Sequence, residues 1–519
     1  MAHTKTATAS KGPQVHWGFF ASALVIEASL LMLHRYEATR IQVVPFVLHF
    51  LIAFGAYAAV LPLLFRHTRT RTGPSLSLIL GCALVFRLTA LLIPPIWDDD
   101  LYRYLWDGRV GIHGINPYVY APDAPELESL QDDHYDLVSF KSIRTIYPPL
   151  FQFLFQLSQW IAPSSLFFLK SLALLFDLAL IVVLLSLLRN LGYPFAWILI
   201  YAWNPLPIKE FANSGHMDSL VLFLLFLSLR YLLDQRMALA HLTLGLSVLA
   251  KLFSGIALPF FLFVSFRKGR RAFLTSLAVF AVVLVLGYIP FAEAGPRMFE
   301  GLSIYSRYWN FNAGPFWLME GALNGAGWNT WWLSRAFILT GVFGVIIWQL
   351  IVLRGHPWRH SASDSLCVPP SKRDRAKGAR ESAGFVVAPP LLISPLWATD
   401  RCRSQGGENG WLPASTQSIA PLKAVFYSLA ALVLLSPAVQ PWYICWLVPF
   451  CIFFPKAAWI SLSGLAVLSY LFYLNFSEMA WPRLIEFGIP AAIALWERAR
   501  NENWHGRHSD FSNMLEESL

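Results

Sequence analysis

Long apolar segments recur along the chain, separated by short polar turns. A helix needs about 20 apolar residues to cross a bilayer. Six segments approach or exceed this length: residues 15–34, 41–65, 76–96, 166–188, 273–291 and 331–353. Eight shorter segments have the same character: residues 194–203, 217–233, 237–253, 256–266, 424–436, 443–454, 459–474 and 484–496. The pattern predicts an all-α integral membrane protein, a bundle of about 12–14 membrane helices with a large exterior loop after the third.

Composition supports this class, because 56% of the 519 residues are hydrophobic and only 14% are charged. Such a chain cannot form the polar surface of an ordinary soluble protein. There is no glycine-rich phosphate loop, and the five cysteines show no metal-ligand spacing. These features predict no bound cofactor.

The distribution of charge predicts the orientation in the membrane. Lys and Arg near span ends are retained in the cytoplasm, and the basic turns at residues 66–71 and 267–271 fall on one face. Residues 97–147 fall on the other face and hold ten Asp/Glu against four Lys/Arg, a net charge of −6 in a chain of +9. The excess of basic residues therefore reflects topology, and no nucleic-acid partner is predicted.

Four regions follow from these patterns. Residues 1–355 form an N-terminal membrane portion that includes the exterior loop 97–147, and residues 356–421, rich in Ser, Pro, Gly and Arg, form a disordered cytoplasmic loop. Residues 422–497 form C-terminal membrane helices, and residues 498–519 a cytoplasmic tail. We expect a multi-pass protein of a plasma membrane, a bacterial inner membrane rather than the endoplasmic reticulum. The single glycosylation tripeptide at Asn475 is weak support for the endoplasmic reticulum.

The exterior loop opens with three consecutive carboxylates, Asp98, Asp99 and Asp100, directly after the helix-ending pair Pro94-Pro95. They begin an interfacial helix in which Asp99 shares one face with Arg103 and Asp107. One interpretation is a helix cap, where negative charge is favourable by roughly 0.3–1 kcal/mol. A cap needs one carboxylate, so three favour a functional site.

Two further segments place polar groups at the same membrane edge. Glu210, His216 and Asp218 are clustered between two short spans, where ionisable groups are costly and often functional, and a structural role for them is about as probable. Trp442 and Tyr443 are more often interfacial aromatics than site residues. Lys251 ends a span on the exterior side, where it either extends toward the interface or meets an anionic partner.

These motifs together resemble a known family. The ordered set comprises Asp-Asp-Leu-Tyr-Arg-Tyr-Leu-Trp-Asp-Gly-Arg at 99–109, Gly-Ile-Asn-Pro-Tyr at 114–118, Tyr-Pro-Pro at 147–149, Trp-Asn-Pro at 203–205, Ser-Gly-His-Met-Asp at 214–218 and Pro-Trp-Tyr at 441–443. It is similar to the polytopic C-type glycosyltransferases that use polyprenyl-phosphate sugars, especially the bacterial mannosyltransferase-like branch. The likeness covers residues 76–486, and the segment between residues 356 and 417 departs from it.

The resemblance implies a GT-C-like bundle that moves a hexose, with mannose as the first guess, from a polyprenyl-phosphate donor to a glycan or glycolipid acceptor on the exterior face, with inversion. Asp100, or its neighbour Asp99, would be the general base. Lys251 would be the cation that meets the leaving phosphate, with Arg103 and Arg109 as the next candidates. The other expected substrate-binding residues are Tyr102, Glu210, His216, Asp218, Trp442 and Tyr443. Such enzymes generally need no metal, although the Asp triplet could bind one.

Two other classes of protein would also have many membrane spans. A secondary transporter or lipid flippase would also have broken helices and buried charges, but its ionisable groups would gather at the bilayer midplane. A structural scaffold would leave the acidic loop unexplained. Transfer of labelled sugar by purified protein separates the three classes.

Overall fold

The computed structural model describes residues 17–35, 42–70, 73–96, 98–327, 330–355, 419–474 and 480–516. The predicted disordered loop lies almost wholly outside these residues, as do Trp97 and Asn475. Within these ranges the chain is helical and has no strand; a single β-bridge joins Phe311 to Ala438. The predicted all-α class is confirmed.

Nineteen α-helices are present in these ranges: α1 (Trp17–Leu33), α2 (Val43–Thr70), α3 (Leu76–Leu92), α4 (Asp100–Ile112), α5 (Pro149–Ile161), α6 (Leu166–Leu191), α7 (Leu199–Ala202), α8 (Pro205–Pro207), α9 (Asp218–Leu233), α10 (Met237–Ala250), α11 (Leu258–Lys268), α12 (Arg270–Tyr288), α13 (Glu300–Tyr308), α14 (Pro315–Gly325), α15 (Thr330–Gly355), α16 (Ala420–Leu435), α17 (Pro441–Ile444), α18 (Ala457–Leu465) and α19 (Ala480–Glu516). A π-helix covers Ile208–Asn213. Shorter 3₁₀ segments cover Pro125–Leu130, Tyr135–Leu137, Phe195–Ile198, Leu252–Ala257, Ile289–Phe299, Val448–Ile452 and Ala466–Leu474.

The membrane helices differ in length more than the hydropathy pattern suggests. Five helical stretches in the described ranges are long and apolar enough to cross a bilayer, or six if one bent pair is a single span: Val43–Thr68, Leu166–Leu191, Arg270–Tyr308, Trp332–Gly355 and Ala457–Leu474, with Pro205–Leu233 as the bent pair. Five more apolar helices have only 10–17 residues. The expected total of about 12–14 depends on these shorter helices and stays a prediction.

The sequence explains why the helix pair Pro205–Asn213 and Asp218–Leu233 is bent. Asn204 caps α8 by accepting a bond from the Leu206 N–H, and Pro205 follows at the first helical position, which suits its fixed φ. The π-helix follows, and α9 leaves at 119° to it. Gly215 makes the turn between them at φ +72°, a backbone conformation that residues with a Cβ rarely adopt. The break therefore places the buried residues 214–217 next to the start of α4, where His216 contacts Asp98.

The packing agrees with a membrane setting. Many large apolar side chains, including Leu24, Leu92, Val285 and Trp348, are exposed on the helix surfaces. A buried ion pair links α3 to α6, since Arg87 Nε lies 2.5 Å from Asp177 Oδ2. Arg87 also donates to the Ala202 carbonyl at 2.7 Å. Because a buried charge needs a partner, this pair fixes α3 against α6 and α7.

The loop of residues 98–147, which is predicted to be exterior, is folded and packs on the bundle. Its first part is the predicted interfacial helix, α4, which packs tightly on α5: a Cβ on Gly108 would lie 2.3 Å from the Phe155 carbonyl oxygen. Arg103 bonds to Asp107 within α4 and to the carbonyls of Ser139, Phe140 and Ile143 in the returning segment. The two ends of the loop are thereby held together beside the membrane edge.

Candidate functional site

A cavity of about 970 Å³ lies where the exterior loop meets the membrane helices. Its polar lining residues include Asp99 and Asp100 at the start of α4, Lys251 at the end of α10, and Tyr305 and Tyr443. Its apolar lining residues come from the 3₁₀ segment after α10 and from helices α15 and α16, and include Phe253, Ile256, Leu339, Val342, Phe343, Ile346, Leu432 and Val433. The cavity can therefore hold a molecule that has both a polar and an apolar part.

The three carboxylates at the start of α4 have different environments. Asp98 Oδ1 accepts the Asp100 N–H at 3.0 Å, and Asp98 Oδ2 lies 2.5 Å from His216 Nε2. Asp99 occupies the N-cap position without a capping bond from its side chain. The Asp100 side chain is 26% exposed and faces the cavity, with Oδ2 at 4.0 Å from His216 Nδ1. Asp98 thus has the structural bonds, and Asp99 and Asp100 are the carboxylates that line the cavity.

The surroundings of Asp98 and Asp100 shift the pKa values of the two carboxyl groups in opposite directions. Burial and the neighbouring charge of Asp98 raise the pKa of Asp100 to about 7 against the opposing effect of His216. Burial also acts to raise the pKa of Asp98, but the adjoining His216 and Lys209 hold that pKa below its ordinary value. A carboxylate with a pKa near 7 can accept a proton at neutral pH more effectively than an ordinary one.

His216 is buried among fixed partners. Its ring stacks on Trp442 with centroids 3.8 Å apart, and its Nε2 lies 3.5 Å from Glu210 Oε2. Glu210 in turn accepts the Tyr470 hydroxyl at 2.9 Å and lies 3.4 Å from Lys209 Nζ. Glu210 and His216, predicted as site residues, therefore adjoin Asp98 but are not among the residues that line the cavity.

Asn213 in the π-helix and Lys170 in α6 hold residues 91–96, the turn that precedes the three carboxylates. Asn213 Nδ2 donates to the carbonyls of Ile93 at 3.1 Å and Pro94 at 2.9 Å, and its Oδ1 accepts the Ile96 N–H at 3.2 Å. Lys170 donates to the Leu91 carbonyl at 2.6 Å and also bonds Ile93. These bonds satisfy carbonyls at the end of α3 that would otherwise lack partners.

Lys251, which lines the cavity, forms an ion pair with the buried Asp218, which does not line it. Lys251 Nζ lies 2.9 and 3.0 Å from the two oxygens of Asp218, which also accepts the Trp446 indole N–H at 2.6 Å. The ammonium lies 5.0 Å from the centre of the Tyr443 ring, within cation–π range. The Tyr443 hydroxyl is 2.7 Å from that of Tyr305. Lys251 and Tyr443, both predicted to bind substrate, thus lie side by side in the lining of the cavity.

Two of the other predicted substrate-binding residues lie elsewhere in the exterior loop. Arg109 donates to Ser164 at 2.6 Å and pairs with Asp132, and it does not line the cavity. Tyr102 stacks on His134 in the small apolar cluster of the loop, away from the cavity lining. Arg103 does line the cavity, although its guanidinium is bonded within the protein.

Several residues of the site were not predicted. Tyr305, Trp446, Gln440 and Arg144 line the cavity, and Lys209 bonds the Glu210 carboxylate. Tyr305 and Arg144 have no motif of their own and reach the site only through the fold. Lys209 is adjacent to the predicted Glu210 in the sequence, and that position is the one signal that could have identified it.

Two groups of donor atoms are close enough to hold a metal ion. Asp98, Glu210 and His216 form one, and Asp98, Asp99 and Asp100 form the other, with the ligand atoms of each within 4.8 Å of one another. Burial acts to lower the pKa of His216, but the Asp98 and Glu210 carboxylates raise it above its ordinary value. The charged form of His216 is therefore favoured and, with Lys209, can balance the two carboxylates. A cation is therefore not required to neutralise these buried carboxylates.

Comparison with known proteins gives one match. Residues 15–267 match the family model described as alpha-(1->6)-mannopyranosyltransferase, N-terminal domain. This range includes α1 to α10, the exterior loop, the Asp triplet, His216, Asp218 and Lys251. No curated protein and no solved structure matches the chain.

Proposed function

We propose that the chain transfers mannose from a polyprenyl-phosphate donor to a lipid-linked or envelope glycan, because residues 15–267 match the family model described as alpha-(1->6)-mannopyranosyltransferase, N-terminal domain. The family match supports a membrane mannosyltransferase in general. The proposal adds the donor, the acceptor, the exterior face of a plasma membrane, inversion at the anomeric carbon and an Asp base.

One observation carries the donor assignment: a single cavity is lined both by polar residues, among them Asp100 and Lys251, and by apolar residues of α15 and α16. A polyprenyl-phosphate sugar has the same division, since its sugar and phosphate are polar and its tail is apolar. We place the sugar phosphate beside Lys251 and the first isoprene units against Val342, Phe343 and Leu432. A lipid-derived tail can enter the apolar part of the cavity from the bilayer without crossing water.

In the proposed reaction Asp100 takes the proton of an acceptor hydroxyl, the 6-hydroxyl of a mannose by analogy with the family description. The acceptor oxygen forms a bond to the anomeric carbon as the bond from that carbon to the phosphate oxygen breaks. Attack opposite the leaving group inverts the configuration. Polyprenyl phosphate departs with the electron pair, and its growing negative charge is met by the ammonium of Lys251.

The geometry supports Lys251 in this role despite its bond to Asp218. A lysine has three N–H donors, and two of them are directed to the two oxygens of Asp218. The third can reach a phosphate oxygen from the cavity wall. Arg103 is better suited to positioning, because its donors hold α4 and the returning segment of the loop together.

The test is transfer of radiolabelled mannose from polyprenyl-phosphate mannose to an α-mannoside acceptor by purified protein in detergent. Transfer by the wild-type protein and its loss in Asp100→Asn are the expected results. Asp123→Asn is the matched control, because Asp123 is an exposed acid of the same loop that does not line the cavity. A protein that moves the lipid across vesicles and transfers no sugar would instead be a transporter or flippase.

A further inference from the structure

Phe140, in the segment of the loop that returns to α5, has a backbone conformation that is rare for its residue type. Its φ is +50°, in the left-handed region where Gly, Asn and Asp are the usual residues. The Ile143 N–H and Arg103 Nη1 donate to the Phe140 carbonyl, at 2.9 and 3.3 Å, and hold the backbone there. Strained backbone of this kind occurs mainly at functional sites, so we examined what the Phe140 ring contacts.

The Phe140 ring adds open apolar surface to the cavity of the candidate site. Phe140 is 54% exposed, and its ring centre lies 4.4 Å from that of Trp309, with the two planes at 65°. Both residues line the cavity. The contact with Trp309 therefore holds the exposed ring in the cavity lining.

The Phe140–Trp309 pair is one end of a row of aromatic side chains. Trp309 follows α13 directly and is one turn after Tyr305, and the two ring centres are 5.1 Å apart. The Tyr305 hydroxyl lies 2.7 Å from that of Tyr443, whose ring adjoins the Lys251 ammonium. All four aromatic residues line the cavity. The row therefore runs from the loop to the proposed site of the donor phosphate.

The Phe140 end of this row adjoins the helix that carries the proposed base. Arg103, which bonds the Phe140 carbonyl, is one turn after Asp100 in α4 and lines the same cavity. Among the residues that the structure describes, none accepts the indole N–H of Trp309. A ligand at this place would meet aromatic ring faces and an N–H donor close to the start of α4.

These features fit a neutral sugar better than a lipid tail or an anionic head group. A pyranose has an apolar C–H face that can pack on aromatic rings, and its hydroxyls bond polar groups at the edge of the rings. The lining residues proposed to contact the donor tail come from other elements, α15 and α16. Residues 97–147 have a net charge of −6, which disfavours an anionic head group.

We propose that Phe140 and Trp309 form the subsite for the acceptor sugar. The mannopyranoside that receives the new residue packs its C–H face on the two rings and directs its hydroxyl toward Asp100. This inference rests on the proposed function, because it requires a glycan acceptor. Removal of either ring should weaken binding of the acceptor and leave binding of the donor unchanged.

Steady-state kinetics with polyprenyl-phosphate mannose and an α-1,6-linked mannobioside as acceptor test the subsite. Phe140→Asn removes the ring and introduces a residue that adopts a φ of +50° readily, so the variant should fold at least as well as the wild type. It should raise the KM for the acceptor about ten-fold, with kcat and the donor KM unchanged. Trp309→Ala should have the same effect, and Phe140→Tyr, which keeps the ring, should retain the wild-type KM.

The chain offers a matched control for each substitution. Leu137→Asn changes an exposed apolar residue of the same loop that does not line the cavity. Tyr308→Ala removes an exposed aromatic ring next to Trp309, also outside the lining. Both controls should keep the acceptor KM of the wild type.

The outcomes separate the subsite from the proposed function. Mannose transfer by the wild type, with an acceptor KM that Phe140→Asn does not change, would overturn the subsite alone. A rise in the donor KM in place of the acceptor KM would place the rings against the polyprenyl tail, which also overturns it. No transfer of mannose by the wild type would overturn the proposed function and the subsite with it. Phe140→Asn decides the question even if Trp309→Ala does not fold.

Discussion

The ammonium nitrogen of Lys251 lies 2.9 and 3.0 Å from the two carboxylate oxygens of Asp218. The pair joins the end of α10 to the start of α9, and Lys251 lines the 970 Å³ cavity of the candidate site. A pair with this geometry can be purely structural, or it can hold a cation ready for the donor phosphate. The two roles predict different effects for the two partners.

If Lys251 binds donor phosphate, Lys251→Met should weaken binding of polyprenyl-phosphate mannose by about 10- to 100-fold, the value of a hydrogen bond to a charged group. Asp218→Asn keeps the shape of the side chain and frees the ammonium, so it should leave donor affinity unchanged or increase it. Titration of a fluorescent donor analogue measures both. Donor affinity that is unaffected by Lys251→Met would show that the pair is structural.

The pH dependence of turnover tests the charge arrangement around Asp100. A general base works when deprotonated, so turnover of the wild type should rise as pH increases through about 7, the pKa that burial and the Asp98 charge give to Asp100. Asp98→Asn removes the largest charge that raises this pKa, so the rise should move to lower pH. A pH profile of single-turnover rates measures the shift. A rise that stays in place, or moves to higher pH, would contradict the arrangement.

We expect Asn213 to hold the turn before Asp98 in place and to take no direct part in the reaction. Asn213→Ala removes the bonds to Ile93, Pro94 and Ile96, so the turn before Asp98 loses its support. Because displacement by about 1 Å can cost up to 100-fold in rate, we expect turnover to fall by ~10- to 100-fold with donor affinity kept. Asn190→Ala, at an exposed asparagine at the end of α6, is the control. Equal turnover in the two variants would contradict a positioning role.

Cysteine labelling of sealed membranes tests the orientation. A cysteine at position 123, which is exposed in the exterior loop, should react with an impermeant reagent from outside, and one at position 375 only after permeabilisation. The background protein needs Cys367 and Cys402 replaced by Ser. Labelling of both positions from the same side would overturn the topology.

Hydropathy predicts where apolar helices lie because membrane helices must satisfy their backbone bonds within themselves. It predicts α2, α6 and α15 closely. It does not predict the π-helix at Ile208–Asn213 or the 119° bend, because these arise from Pro205, Gly215 and packing against α3. The sequence predicts two short spans, residues 194–203 and 217–233, with a polar segment between them, but not how the backbone turns there.

Part of the site could also be predicted from the positions of the membrane spans. Asp100, Lys251 and Tyr443 each stand at a span end, so their meeting follows from the common membrane face. Arg109 is on α4 as well, but the helix turns its side chain toward Asp132 and Ser164. Tyr305 comes from a segment about 200 residues away from Asp100, and only tertiary packing could bring it to the cavity.

The central claim is that Asp100 is the base of a sugar transfer, and turnover of folded Asp100→Asn protein with polyprenyl-phosphate mannose tests it most directly. The account predicts a fall of roughly 10²–10⁴-fold with donor binding kept, a smaller loss for Asp99→Asn, and none for Asp123→Asn. Near-wild-type turnover in both Asp99→Asn and Asp100→Asn would contradict it, and the carboxylates would then be a helix cap or a cation site.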